Sequence, residues 1–112
     1  MIPKVSIYYF IYTFKSNAKG EAPIYCKVSV NGKHKRFSTG ISILPKLWDA
    51  TKQKVRGKNL IAEDINSTLY LQTEHIQTIA KKLQENNPNG FSIDDLYFNL
   101  KQGIPDEQTF LK

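Results

Sequence analysis

Eight side chains between residues 25 and 38 have the types and spacing to engage a polyanion: Tyr25, Lys27, Ser29, Lys33, His34, Lys35, Arg36 and Ser38. Lysines neutralise phosphates as point charges, whereas an arginine fork can grip phosphate or pair bidentately with a guanine edge. Tyrosine, serine and histidine add hydrogen bonds that set register. Other chemistry is poorly supported. His34 and His75 are the only histidines, and no nucleophile pattern accompanies either. Asp94-Asp95 is a paired-carboxylate candidate for acid–base work, and helix capping accounts for it. No metal-ligand spacing or glycine-rich phosphate loop is present, so neither a catalytic role nor a cofactor is expected.

These residues need a scaffold, and Asn31-Gly32 supplies its centre. Asn-Gly between β-rich runs signals a two-residue type I′ hairpin, which requires positive φ at both central positions. Counting outward pairs Val30 with Lys33, Ser29 with His34, Val28 with Lys35, Lys27 with Arg36, Cys26 with Phe37 and Tyr25 with Ser38. Alternation then sorts the side chains onto two faces. Ile24, Cys26, Val28, Val30, Phe37 and Thr39 form a core face, with Lys33 and Lys35 on the same side near the turn. Tyr25, Lys27, Ser29, His34, Arg36 and Ser38 form the other. Such a basic face serves either binding or solubility, and residue types alone leave both open.

The remaining elements follow the chain. Lys4 to Phe14 is rich in strand formers and predicts a first strand, although neither alternate set is clearly polar. Pro23 suits a strand start, and Gly40 a bend as the third strand ends. Leu47 and Trp48 predict an apolar anchor after Pro45. Lys52 to Lys58 reads as a basic loop, either a solubilising linker or a phosphate contact. Asn59 caps a long helix whose stripe comprises Ile65, Leu69, Gln72, Ile76, Ile79 and Leu83, widened by Ala80 and extended backwards by Leu60 and Ile61. Asn86-Asn-Pro-Asn-Gly ends it. Ser92 caps a shorter helix with apolar Leu96, Tyr97 and Leu100, a Phe91–Leu96 staple, and Gly103 at its C-terminal cap. The expected fold is α+β, a three-stranded antiparallel sheet packed on a long helix, followed by a short second helix.

Composition narrows the class. The 112 residues carry a net charge of +6. Residues 1–58 hold twelve Lys or Arg against two acids, whereas residues 59–112 hold four against eight. A basic half joined to an acidic half points to nucleic acid. Cys26 is the single cysteine, which excludes an internal disulfide and favours a reducing compartment. No apolar run suits a secretion signal or a spanning helix, so a soluble cytoplasmic protein is expected, without membrane contact.

The string from Gly20 through the hairpin to Ser38-Thr-Gly-Ile, then Pro45, Trp48-Asp49, Lys54-Val-Arg-Gly-Lys and Ile65-Asn66, resembles the N-terminal arm-type DNA-binding domain of tyrosine recombinases. The resemblance covers nearly all of residues 4–103. It implies a sheet that enters the major groove of double-stranded DNA at arm-type sites, in an integrase of a mobile element. It also implies that core-binding and catalytic domains follow, with residues 1–103 as the arm domain. Residues 104–112 would then be a linker and the start of a truncated core-binding domain, and other recombinase protomers would be partners. This sequence departs from its relatives in a first strand that is aromatic rather than basic. The alternative reading is a protein–protein module assembling protomers through the long helix, and structured RNA is a third candidate ligand.

Overall fold

The computed structural model describes residues 4–103. β1 (Val5–Ile11), β2 (Ala22–Val30) and β3 (Lys33–Ile43) form an antiparallel sheet in the order β1-β2-β3. Two short strands, β4 (Trp48–Asp49) and β5 (Lys54–Val55), form a separate hairpin. Two helices follow, α1 (Leu60–Asn86) and α2 (Ile93–Gly103). The α+β architecture expected from the sequence is the one observed.

The Asn-Gly turn dictates the sheet register. Asn31 and Gly32 have φ of 51° and 87°, the left-handed pair that a type I′ turn demands. All six predicted pairs, from Val30↔Lys33 to Tyr25↔Ser38, are present. Asn31 also ties down the neighbouring strand: its amide donates to the Lys4 carbonyl, and its Oδ1 accepts from the Lys4 amide. Burial alternates without a break along β2, with Ala22, Ile24, Cys26, Val28 and Val30 facing inward.

β1 is shorter than predicted. Its ladder with β2 closes where the Tyr12 amide donates to the Pro23 carbonyl, 3.1 Å. Pro23 has no N–H to return that bond, so pairing stops and Thr13–Lys15 curl into a 3-10 turn. β3, by contrast, outlasts Gly40. Register shifts between Pro23 and Tyr25, opposite Gly40 with its φ of 83°. Thr39 bridges the bulge, its hydroxyl donating to the Ile24 carbonyl and accepting from the Ile41 amide. The shift spans two residues, so Thr39, Ile41 and Ile43 keep the inward side.

The helices cover one face of the sheet. Asn59 caps α1 through Oδ1, which accepts from the Ala62 amide at 2.8 Å. Ala62, Leu69, Ile76 and Ala80 are buried, flanked by half-buried Ile65, Ile79 and Leu83. The backward extension through Leu60 and Ile61 is overturned, because these are 83% and 73% exposed. Ala62, Leu69 and Ile76 recur every seven residues along the seam, and Ile61 stands about 100° around from it. Ser92 and Asp95 cap α2 reciprocally, each side chain accepting the other's amide. Ile93, Leu96 and Leu100 are its buried face, while Tyr97 is half-buried beside Phe37. Trp48 is buried as predicted, whereas Leu47 is only partly covered, at 38% exposed.

Tyr9 is the polar pin of this core. Its hydroxyl donates to the Leu69 carbonyl at 3.2 Å and lies 3.1 Å from Thr73 Oγ1. Burial raises its ionisation well above the usual phenol range, and burial pushes the Cys26 thiol up to about 12. Cys26 thus behaves as a small apolar side chain. The expected opening of a further domain at residues 104–112 lies outside the described residues.

Candidate nucleic-acid interface

One face of the sheet is buried under α1 and α2, and among the described residues no element covers its opposite face. Pairing brings β1 into that open face. Three cross-strand rows result: Ser6–Ser29–His34, Tyr8–Lys27–Arg36 and Phe10–Tyr25–Ser38. The six residues predicted to share a face, Tyr25, Lys27, Ser29, His34, Arg36 and Ser38, do share it.

Lys33 and Lys35 do not join them. Both project from the helix side of β3, near the turn, where their partners are Val30 and Val28. Lys35 Nζ lies 3.3 Å from Asp94 on α2 and 5.3 Å from the Tyr97 ring centroid. Lys33 is exposed at the turn itself. The six open-face residues and the two turn lysines are therefore on opposite faces of one hairpin.

The residues that sequence reasoning missed are aromatic. Tyr8, Phe10 and Tyr12 alternate onto the open face, and Phe14 follows from the 3-10 turn. Tyr12 packs against Tyr25 (4.6 Å between centroids), Phe10 (5.0 Å) and Phe14 (4.9 Å). Period two along Tyr8-x-Phe10-x-Tyr12 was the available signal. It was masked because the alternate set, Ile7, Tyr9 and Ile11, is equally apolar.

These rings hold the cations. Arg36 Nη1 donates to the Tyr12 hydroxyl, with the guanidinium 5.9 Å from the ring centroid. Lys15 Nζ sits 5.2 Å from the Tyr12 centroid and 5.1 Å from that of Tyr25, and donates to the Tyr25 hydroxyl. Cation–π contact orients each head without neutralising it. No acid pairs with Lys15, Lys27 or Arg36, since Lys35–Asp94 is the only ion pair among the described residues. The face therefore presents fixed, unneutralised positive charge on an aromatic floor. Among the described residues no group of three or more His, Cys, Asp or Glu could hold a metal, and no helix is long and apolar enough to cross a membrane.

The family model of the arm DNA-binding domain matches residues 9–97. The chain belongs to the arm DNA-binding domain family. No curated protein and no solved structure matches it significantly. Arm DNA-binding domains are non-catalytic modules of integrase-like proteins, so DNA is the partner and this domain does no chemistry on it. The match takes in the last three residues of β1, both long strands that follow, the β4–β5 hairpin, α1 and the first turn of α2.

Proposed function

We propose that this arm domain serves a site-specific tyrosine recombinase, lowering the open face of its sheet into the DNA major groove at arm-type sites. The observation that carries the reading is the contrast between faces: one is sealed by helices, the other, among the described residues, is uncovered and carries Lys15, Lys27 and Arg36 with no acid partner. Arg36 is the candidate for bidentate contact with guanine, and Lys27 for a phosphate. Tyr25, Ser29, His34 and Ser38 supply hydrogen bonds, and the exposed ring of Tyr8 offers apolar contact to thymine methyls. Lys33 and Lys35, beside the turn, reach DNA only as peripheral phosphate contacts. In this reading residues 1–103 are the DNA-binding unit, and residues 104–112 lead towards the core-binding domain of the recombinase.

The test uses duplexes selected from a random pool by the wild-type protein. Replacing Lys27 and Arg36 together by Ala removes two contacts of about 1–3 kcal/mol each, lowering affinity at least roughly thirtyfold. Thermal melting should stay at the wild-type temperature. Unchanged affinity in the double variant would rule out this face, and preference for RNA of the same sequence would redirect the reading.

A second reading, assembly of recombinase protomers through the long helix, is favoured by exposed Leu60, Ile61, Tyr70 and Leu71 on α1. Leu69 and Ile76 are core residues and cannot report on it. Sedimentation of the wild-type and L60S/L71S proteins, free and on DNA, distinguishes the two. Association on DNA that the substitution abolishes supports assembly.

A further inference from the structure

Of residues 52–58, read from sequence as a basic loop, Lys54–Val55 form one strand of a braced hairpin, and the Arg56 amide donates to the Leu47 carbonyl just beyond it. Asp49 Oδ1 accepts the amides of Thr51 and Lys52 and sets the turn, and Gln53 completes it with φ of 54°. Asn66 of α1 clamps β5 from both sides: its Oδ1 accepts the Val55 amide at 2.8 Å, and its Nδ2 donates to the Val55 carbonyl at 3.1 Å. Val55 and Trp48 are buried beneath. At the tip, Gln53 Oε1 accepts the Tyr9 amide at 2.8 Å, fastening the turn to the free edge of β1.

On this frame stand Lys52, Lys54 and Arg56, with Lys58 in the bend that follows and lining the same cleft, all exposed and none paired with an acid among the described residues. Asp49 is the one acid in the hairpin, and its carboxylate is occupied by amides of its own turn. Four like charges repel one another and would disfavour such close clustering unless a polyanion joins them.

We propose that the β4–β5 hairpin is a phosphate clamp that grips one rim of the groove entered by the sheet. The inference rests on the major-groove reading above. Three strands spaced about 4.8 Å apart span roughly 10 Å, close to the groove width of about 12 Å. With strands running along the groove, the free edge of β1 faces one phosphate wall. Phosphates line the rim rather than the floor, about 8.5 Å above the base edges. The hairpin sits beside β1 in the helix layer, one storey behind the reading face, and so at rim height. The opposite edge differs: β3 is flanked by α2, where Asp94 neutralises Lys35.

The experiment compares K52Q/K54Q/R56Q/K58Q with K27A/R36A in the full chain, titrating selected and scrambled duplexes across salt. The clamp variant should lower the slope of log affinity against log salt by about 2 to 3, since each phosphate contact contributes about 0.9. Its ratio of selected to scrambled binding should stay at the wild-type value. A wild-type salt slope overturns the clamp, and so does loss of the selected-to-scrambled ratio. If K27A/R36A keeps wild-type affinity and ratio, the groove reading itself fails, whatever the clamp variant does. Methylphosphonate linkages along one rim of the wild-type complex give the same readout with the protein unaltered: the slope should fall on one strand's rim only. An equal fall on both rims overturns the assignment.

Discussion

Lys35 and Arg36 are neighbours on β3 with the same charge and opposite circumstances. Lys35 points towards the helices, where Asp94 and the Tyr97 ring take up its ammonium. Arg36 points to the open side, where Tyr12 orients the guanidinium and no acid neutralises it. Strand alternation alone separates the two, one residue apart. A charge on the covered side contributes to the attachment of α2, and a charge on the open side stays available to a partner. Each face should therefore fail by its own assay when it is altered.

The largest effect belongs to the covered face. Ile24 is fully buried on the central strand. Ile24→Ala should cost about 2–5 kcal/mol in urea unfolding, from lost burial and the cavity left behind. DNA affinity of the fraction still folded should be unchanged. The matching change on the open face is Arg36→Ala, expected to cost about 1–3 kcal/mol of binding to a selected duplex. Its unfolding free energy should move by no more than about 0.5 kcal/mol. If Arg36→Ala unfolded the domain as readily as Ile24→Ala, the division of labour between faces would collapse.

The covered face was legible because one turn determines it. Asn31-Gly32 sets a register in which any slip would carry Ile24, Cys26, Val28 and Val30 to the wrong side. The orientation of β1 was not legible, since Ile7, Tyr9 and Ile11 match Tyr8, Phe10 and Tyr12 in hydrophobicity. Pairing settled it, because Tyr9 finds Leu69 and Thr73 for its hydroxyl under the helix. The β4–β5 hairpin was hidden for another reason. Its strands have two residues each, and its positive-φ position is occupied by Gln53, which carries no turn signal. Beyond the local Asp49 turn, what stabilises it comes from afar, through Asn66 and Tyr9. Of the candidate site, the six open-face positions followed from counting, whereas the aromatic floor needed the third strand.

Smaller effects sharpen the contrast. Tyr9→Phe removes a buried hydroxyl while Thr73 keeps its own bond to the Leu69 carbonyl, 3.0 Å. A loss of about 1 kcal/mol in unfolding free energy is expected, with DNA binding intact. Lys35→Ala breaks a half-exposed ion pair and should lower stability by about 0–1 kcal/mol, an effect that salt erodes. Its cost in DNA affinity should be well below that of Arg36→Ala. Equal costs would mean that both faces of β3 meet DNA, which a flat sheet on a groove floor does not allow.

The smallest effect concerns the other acid that stands among cations. Asp94 reaches across to Lys35, but Asp49 turns inward to its own backbone, and the hydrogen bond donated by the Lys52 amide is the main reason its carboxyl is held below the ordinary value of 3.8. Lys52 and Arg56 add to that lowering by their charge. Because the folded value is depressed, the ionised carboxylate supports the turn fully above the unfolded value of about 3.8. The support is lost as pH falls through the lower, folded value. Amide resonances of Thr51 and Lys52 should therefore titrate together with a midpoint below 3.8, while those of the Asn31-Gly32 turn stay still. A midpoint at or above 3.8 would mean that the Asp49 carboxylate does not hold the turn. The hairpin cations would then lack the fixed frame on which a rim contact depends.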